Sequence, residues 1–273
     1  MRLFSGSHLP APTWARRPMA QCCLLISSGI KMTPSHGNLI TTLFTTIFGE
    51  IIIYLIKIKE MRIMSYMCAE CRQVGCKSRD LTKTMTCCPS KNEEIQAKAA
   101  ELYQEEENHH IANTAARVEA EGYGRLCRME EIILFCKRAG YKKLGLVFCM
   151  GLHNEAREVN KILTHHGFAV ESVICKNGAM PKSGIGLTDA DTLSGCANEV
   201  MCNPIGQALT MNEQKVDFNI LFGLCVGHDT LAIKYLDAPC TVLAVKDRVT
   251  GHNPIAPIYV ANSYYKKRFY GDK

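Results

Sequence analysis

From Lys143 to Lys246 short apolar runs alternate with amphipathic stretches. Lys143-Leu-Gly-Leu-Val-Phe-Cys149 reads as a strand covered on both faces, because a half-solvated strand would alternate apolar with polar side chains. His153 to His166 follows as an amphipathic helix closed by Gly167, and Phe168 to Cys175 as the next strand. A glycine-rich loop spans Asn177 to Thr188. Asn203-Pro204 then starts a helix, an N-cap residue followed by a proline whose fixed φ suits the first turn. Phe218 to Cys225 is a third strand, Asp229 to Leu236 a short helix, and Cys240 to Lys246 a fourth strand. This alternation predicts an α/β domain over residues 141–273, with a Rossmann-like parallel sheet of about four strands and right-handed crossovers.

Upstream the period changes. Glu93 to about Asn108 is helical, with Ile95, Ala99 and Leu102 on one face, and Ile111 to Glu121 continues as helix until Gly122 and Gly124 interrupt it. Arg128 to Ala139 is a further helix with Ile132, Ile133, Phe135 and Cys136 as its apolar side and Gly140 as its C-cap. Cys68 to Ser90 has little room for regular structure and reads as a loop-rich knuckle ended by Pro89. Residues 65–140 are therefore expected to form a Cys-rich knuckle plus helices.

Residues 1–64 differ in kind. Leu39 to Ile56 is apolar or hydroxylated except at Gly49 and Glu50, and its length lies at the lower edge for a membrane span. Three readings compete: a membrane anchor over 39–56, an amphipathic or buried helix, or upstream sequence translated in error ahead of a true start at Met64 or Met67. Charge sharpens the contrast. Seven Lys and Arg face two Glu in residues 1–64, whereas the remainder carries 25 basic and 24 acidic residues, a net of +1. The globular part is near neutral and offers no basic stripe for a phosphate backbone, so nucleic acid is not an expected partner. A 47% hydrophobic share with 21% charged residues fits a folded core rather than disorder.

Thirteen of the 15 cysteines fall after Met64. An odd total, in a chain that is not small and lacks a convincing signal peptide, argues against a disulfide scaffold and for thiolates in a reducing cytoplasm. Cys68-Ala-Glu-Cys71, then Cys76 and Cys87-Cys88-Pro89, is a metal-site spacing. One knuckle directs two thiolates at an ion and later cysteines complete a tetrahedron. Adjacent side chains diverge, so Cys88, next to Pro89, is the better fourth ligand than Cys87.

A second constellation emerges from the predicted sheet. Cys149, Cys175 and Cys225 each stand at or just after the carboxyl end of a strand, the edge where open α/β sheets bind ligands. Cys202 precedes the Asn203-Pro204 helix start. Cys225 and His228 have Cys-x2-His spacing, short enough for one ion. His228, Asp229 and Arg248 are candidates to line a cofactor pocket at the same rim. Thiolate ligation suits zinc or an iron–sulfur cluster, and spacing does not choose between them. Cys127, Cys136 and Cys240 read as small buried hydrophobes. No nucleotide-binding glycine fingerprint, P-loop or Ser-His-Asp arrangement is present.

These segments, together with Phe148-Cys-Met-Gly-Leu152, Cys202-Asn-Pro204, Gly223-Leu-Cys-Val-Gly-His-Asp229, Val245-Lys-Asp-Arg-Val249 and Gly251-His-Asn-Pro254, resemble an uncharacterised prokaryotic family. Its members are labelled predicted metal-binding proteins and carry a cysteine-rich domain of unknown function. The resemblance covers roughly residues 66–270 and implies cytoplasmic metal binding with no established activity. The expected function is that of a metal-binding protein with a structural zinc-type knuckle of four cysteines and a second cysteine site at the sheet rim. The alternatives are an iron–sulfur or thiolate-dependent redox enzyme, and a membrane-tethered metal or redox sensor that requires the 39–56 span.

Overall fold

The computed structural model describes residues 66–272. The reading of residues 39–56 as a membrane segment, and of Met64 as a start, lies outside the described residues. Among the described residues no helix is long and apolar enough to cross a membrane. The chain divides into two compact units at Asn92/Glu93.

In the first unit the described chain is a run of tight turns. Single 3-10 turns cover Cys68–Glu70, Leu81–Lys83 and Pro89–Lys91. Asp80 caps the middle one, accepting from the Thr82 N–H at 3.2 Å and pairing with Lys83 at 2.9 Å. The Asn92 amide donates to the Tyr66 hydroxyl at 2.9 Å and ties the two ends together.

The second unit begins with three helices, α1 (Glu93–Leu102), α2 (Glu106–Gly122) and α3 (Arg128–Ala139). The sequence pattern carries the first helix to Asn108; the chain instead turns over residues 103–105, where Glu105 takes an extended conformation and restarts the helix as α2. Gly140 closes α3 in the left-handed conformation, as its position predicts. Strand β1 (Lys143–Phe148) leads through a 3-10 turn to α4 (His153–His165), then β2 (Ala169–Ile174). A long excursion returns through α5 (Pro204–Glu213) to β3 (Phe218–Leu224), α6 (His228–Tyr235) and β4 (Cys240–Val245). Two short helices, α7 (Ala256–Tyr259) and α8 (Lys266–Tyr270), complete the unit.

All four strands are parallel, in the order β2-β1-β3-β4. Alternation across the pleat sends neighbouring residues to opposite faces. Leu144, Leu146 and Phe148 of β1 join Phe218, Ile220 and Phe222 of β3 in one core with Ile132, Ile133 and Cys136 of α3 and Ala156, Val159 and Leu163 of α4. On the other face Val147, Val173 and Leu221 pack with Met211 of α5 and Ala232 of α6. Burying each large aliphatic side chain contributes about 1.5–3 kcal/mol. Both faces are thus covered, which is why β1 and β3 read as nearly continuous apolar runs, Asn219 being a buried polar exception in β3.

Candidate functional site

The carboxyl ends of the strands converge on one rim. The last rungs of the ladder fix three rim residues by their backbones: Cys175 N–H donates to the Phe148 carbonyl at 2.9 Å, Cys149 N–H to Phe222 at 3.1 Å and Lys246 N–H to Leu224 at 2.9 Å. Gln207 of α5, wholly buried, clamps two strand ends together. Its amide donates to the Phe148 carbonyl at 3.0 Å and to that of Val173 at 2.8 Å, while its Oε1 has no partner among the described residues.

Cys202 reaches this rim by a different route. The segment after Cys175 folds back on itself through an antiparallel bridge between Pro181 and Val200, and the Asn203 N–H then donates to the Cys175 carbonyl at 2.7 Å. The Asn203 side chain caps α5 by accepting from the Gly206 N–H at 2.9 Å. Cys202 Sγ consequently lies 3.7 Å from Cys175 Sγ.

Cys175 is the middle of a row. Buried at 2% exposure, it contacts Cys149 on one side and Cys202 on the other, and it accepts from the Met150 N–H at 3.2 Å. His228, the first residue of α6, hydrogen-bonds Cys202. The row polarises itself. The Cys149 thiol is pulled down to about 5, first by its hydrogen bond with Cys175 and then, against burial, by the Gly151 N–H and the Lys246 charge. Cys202 is pulled down to about 4 by Cys175 and then His228. Cys175 is pushed upward by those two contacts and by burial. The hydrogen bond with Cys202 raises His228, favouring the imidazolium.

Cys225 stands apart from the row. Arg248 Nη2 donates to its sulfur at 3.2 Å, and that contact holds the guanidinium charged. Asp229 accepts from the Thr230 N–H at 2.8 Å and adds negative charge near His228. Asp247 turns inward to its own loop, accepting from the Val249 and Thr250 N–H groups at 2.9 and 3.0 Å. The rim therefore gathers Cys149, Cys175, Cys202 and His228, with Cys225 and Arg248 as a second pair. Sequence reasoning did not single out Lys246 and Lys176, which face Cys149 and Cys202 respectively. A lysine at the carboxyl end of β4 was the available signal for the first. Nothing in the sequence marked the second.

In the knuckle, Cys68 and Cys76 are exposed, Cys71 and Cys87 half-buried and Cys88 buried. Cys88 begins the Pro89–Lys91 turn, and the Ser90 hydroxyl and N–H lower its thiol. Among the described residues no group of three or more His, Cys, Asp or Glu is set to hold a metal ion. Of the three cysteines expected as buried hydrophobes, Cys136 is fully buried and desolvation pushes its thiol to about 12, which marks a packing residue. Cys240 is half-buried, and Cys127 is instead exposed, because it sits at the N-cap of α3.

A family model described as "Protein of unknown function (DUF1847)" matches residues 87–243. The uncharacterized protein MJ0455 of Methanocaldococcus jannaschii is 43% identical over 202 residues, which span 74% of this chain and 96% of that protein. No solved structure matches.

Proposed function

Since the chain belongs to the DUF1847 family, whose function is unknown, we propose from its own residues that the rim is a thiolate site for a soft divalent cation, zinc first. Cys149, Cys175 and Cys202 are the ligands and His228 completes the set. One observation carries this reading: the 3.7 Å separation of the Cys175 and Cys202 sulfurs. Two thiolates on one tetrahedral ion, each at ~2.3 Å, stand about 3.8 Å apart. These two sulfurs already stand at that separation. Because no group of three donors is preset among the described residues, Cys149 and His228 must move in to complete the site, whereas a four-iron cluster places its thiolates on separate irons and spreads them further. The donor set also suits the ion, since thiolate and imidazole are its preferred ligands. Cys149, Cys175, Cys202 and His228 would hold the ion from three crossover segments, and the ion's charge would favour the Cys175 thiolate. Lys176 and Lys246 offset the thiolate charge.

The knuckle is proposed as a second, structural zinc site through Cys68, Cys71, Cys76 and Cys88, on the strength of its Cys-x2-Cys spacing and the lowered Cys88 thiol. The odd cysteine total in a chain of this length supports a reducing, cytoplasmic setting.

Elemental analysis of anaerobically purified protein tests both sites. The expected result is about two zinc per chain, falling by about one in Cys202→Ser and by about one in Cys71→Ala. Metal content that Cys202→Ser leaves at the parent level would overturn the rim site. A brown protein losing absorbance near ~400 nm in air would replace zinc by a cluster.

A further inference from the structure

We propose that the crevice between the carboxyl ends of β1 and β3 is an anion subsite, walled by Lys246 and Arg248, which brings an oxyanion or carboxylate group beside the thiols. The inference deepens the reading of the rim as the working face by naming a ligand class, and it needs no metal.

The topology supplies the crevice. In the order β2-β1-β3-β4, the chain leaves β1 toward one edge and β3 toward the other. The two loops diverge at this switch point, the usual ligand position in open α/β sheets. A glycine stands on each side: Gly151 in the turn after β1 and Gly223 at the end of β3. A Cβ at Gly151 would stand 3.2 Å from the Lys246 ammonium and 3.9 Å from the Cys149 sulfur. A Cβ at Gly223 would stand 3.7 Å from the same ammonium. Lys246 follows β4, so its side chain leans across the end of β3 to reach the β1 loop.

Neither charge there is paired with a carboxylate among the described residues. Lys246 is half-buried. The carboxylates close by in sequence are engaged in their own turns: Asp247 with Val249 and Thr250, Asp229 with Thr230. Arg248 spends one donor on Cys225 and is otherwise exposed, which leaves N–H groups of its planar fork for an oxyanion. A partly desolvated ammonium gains from a neutralising anion. Cys149 supplies part of that neutralisation, and a ligand carboxylate or phosphate supplies the rest. A bound anion would lie within reach of the Cys149 and Cys225 sulfurs.

The test compares two alkylating agents of similar size, anionic iodoacetate and neutral iodoacetamide, on the reduced full-length protein. Rates are read at single cysteines by peptide mass spectrometry. Cys225 is the reporter, because it is not among the proposed metal ligands, and exposed Cys127 is the internal reference. The ratio of the two rates cancels the thiolate fraction and reports local charge. It should be at least about threefold higher at Cys225 than at Cys127, and should fall to the Cys127 level in Lys246→Gln with Arg248→Gln. Millimolar inorganic phosphate should slow iodoacetate at Cys225, and chloride at equal ionic strength should not. Succinate in place of phosphate shows whether carboxylates or phosphates are preferred. Equal ratios at the two cysteines, with no phosphate protection, would sink the subsite; the wild-type measurements decide this even if the double variant fails to fold. Rim metal lost in Cys202→Ser without a charge preference at Cys225 removes the subsite alone. A charge preference in a protein that never carries rim metal removes the metal alone.

Discussion

Lys182 and Glu199 pair at 2.6 Å across the excursion that delivers Cys202, with both side chains about one-fifth exposed. The Lys182 and Ser194 contacts hold the Glu199 carboxyl down at about 2, from an ordinary 4.5. A carboxyl lowered by folding binds fewer protons in the folded chain than in the unfolded one, so its contribution is complete above 4.5 and is lost as pH falls through about 2. Glu199→Gln should reproduce that loss at neutral pH. The Asn203 amide, bonded to the Cys175 carbonyl, is the reporter. Its hydrogen exchange should quicken by up to about fivefold in the variant. Unchanged protection in Glu199→Gln would mean that the Pro181–Val200 bridge holds the loop without the ion pair.

Gln207 poses an opposing pair of effects. Replacing it by Leu removes two buried hydrogen bonds, a loss of about 0.5–1.5 kcal/mol each, but also removes a buried oxygen without a partner, worth about 1–3 kcal/mol. The two nearly cancel, so Gln207→Leu should change unfolding free energy by less than about 1 kcal/mol. Gln207→Glu should cost several times more, because it buries a carboxyl against two carbonyl oxygens. Urea titration of both variants checks this ordering. A large loss in the Leu variant would show that Oε1 is hydrogen-bonded in solution.

Cys136 provides the contrast to the rim thiols. It is fully buried among α3, β1 and β3 side chains. Cys136→Ser should destabilise by about 1–3 kcal/mol, because the hydroxyl is desolvated. Bound metal should stay at the parent level. Thermal unfolding and elemental analysis on the same sample separate this from a ligand substitution, which would release metal.

The strands were legible because both faces of the sheet are covered, so each central strand is a short apolar run with a sharp end. Cys149 and Cys225 were legible for the same reason, since a cysteine that closes such a run must sit at the carboxyl edge. Cys175 was legible because it ends the edge strand β2, whose partly polar pattern still stops at Ile174. The gathering of Cys202 with Cys175 was not legible as a distance, since it depends on a backward fold through Pro181 and Val200 that has no periodic signature. Nor was the separation of Cys225 from the row, because Arg248 claims its sulfur only once β3 and β4 are paired. The turn at residues 103–105 was missed because the helical pattern runs through it unbroken. The C-terminal helices α7 and α8 are too short for periodicity to mark.

Gly223 is the position at which a small substitution should reach the rim most directly. It takes φ +68°, in the left-handed region, at a shift in the register between β3 and β4. A Cβ there would collide with the Leu152 side chain, which packs in the core behind the β1 loop. Alanine adds the left-handed penalty of about 1–2 kcal/mol to that collision. The strain should be relieved by moving the end of β3 and the loop that carries Cys225, because Leu152 is fixed on the core side. Gly223→Ala should therefore lower stability by at least about 1 kcal/mol and break the Arg248 contact with Cys225. Denaturant unfolding measures the first effect. A raised iodoacetamide rate at Cys225, with the Cys127 rate unchanged, measures the second. A variant as stable as the parent, with the parent's Cys225 rate, would show that this turn tolerates a side chain and does not position the cysteine.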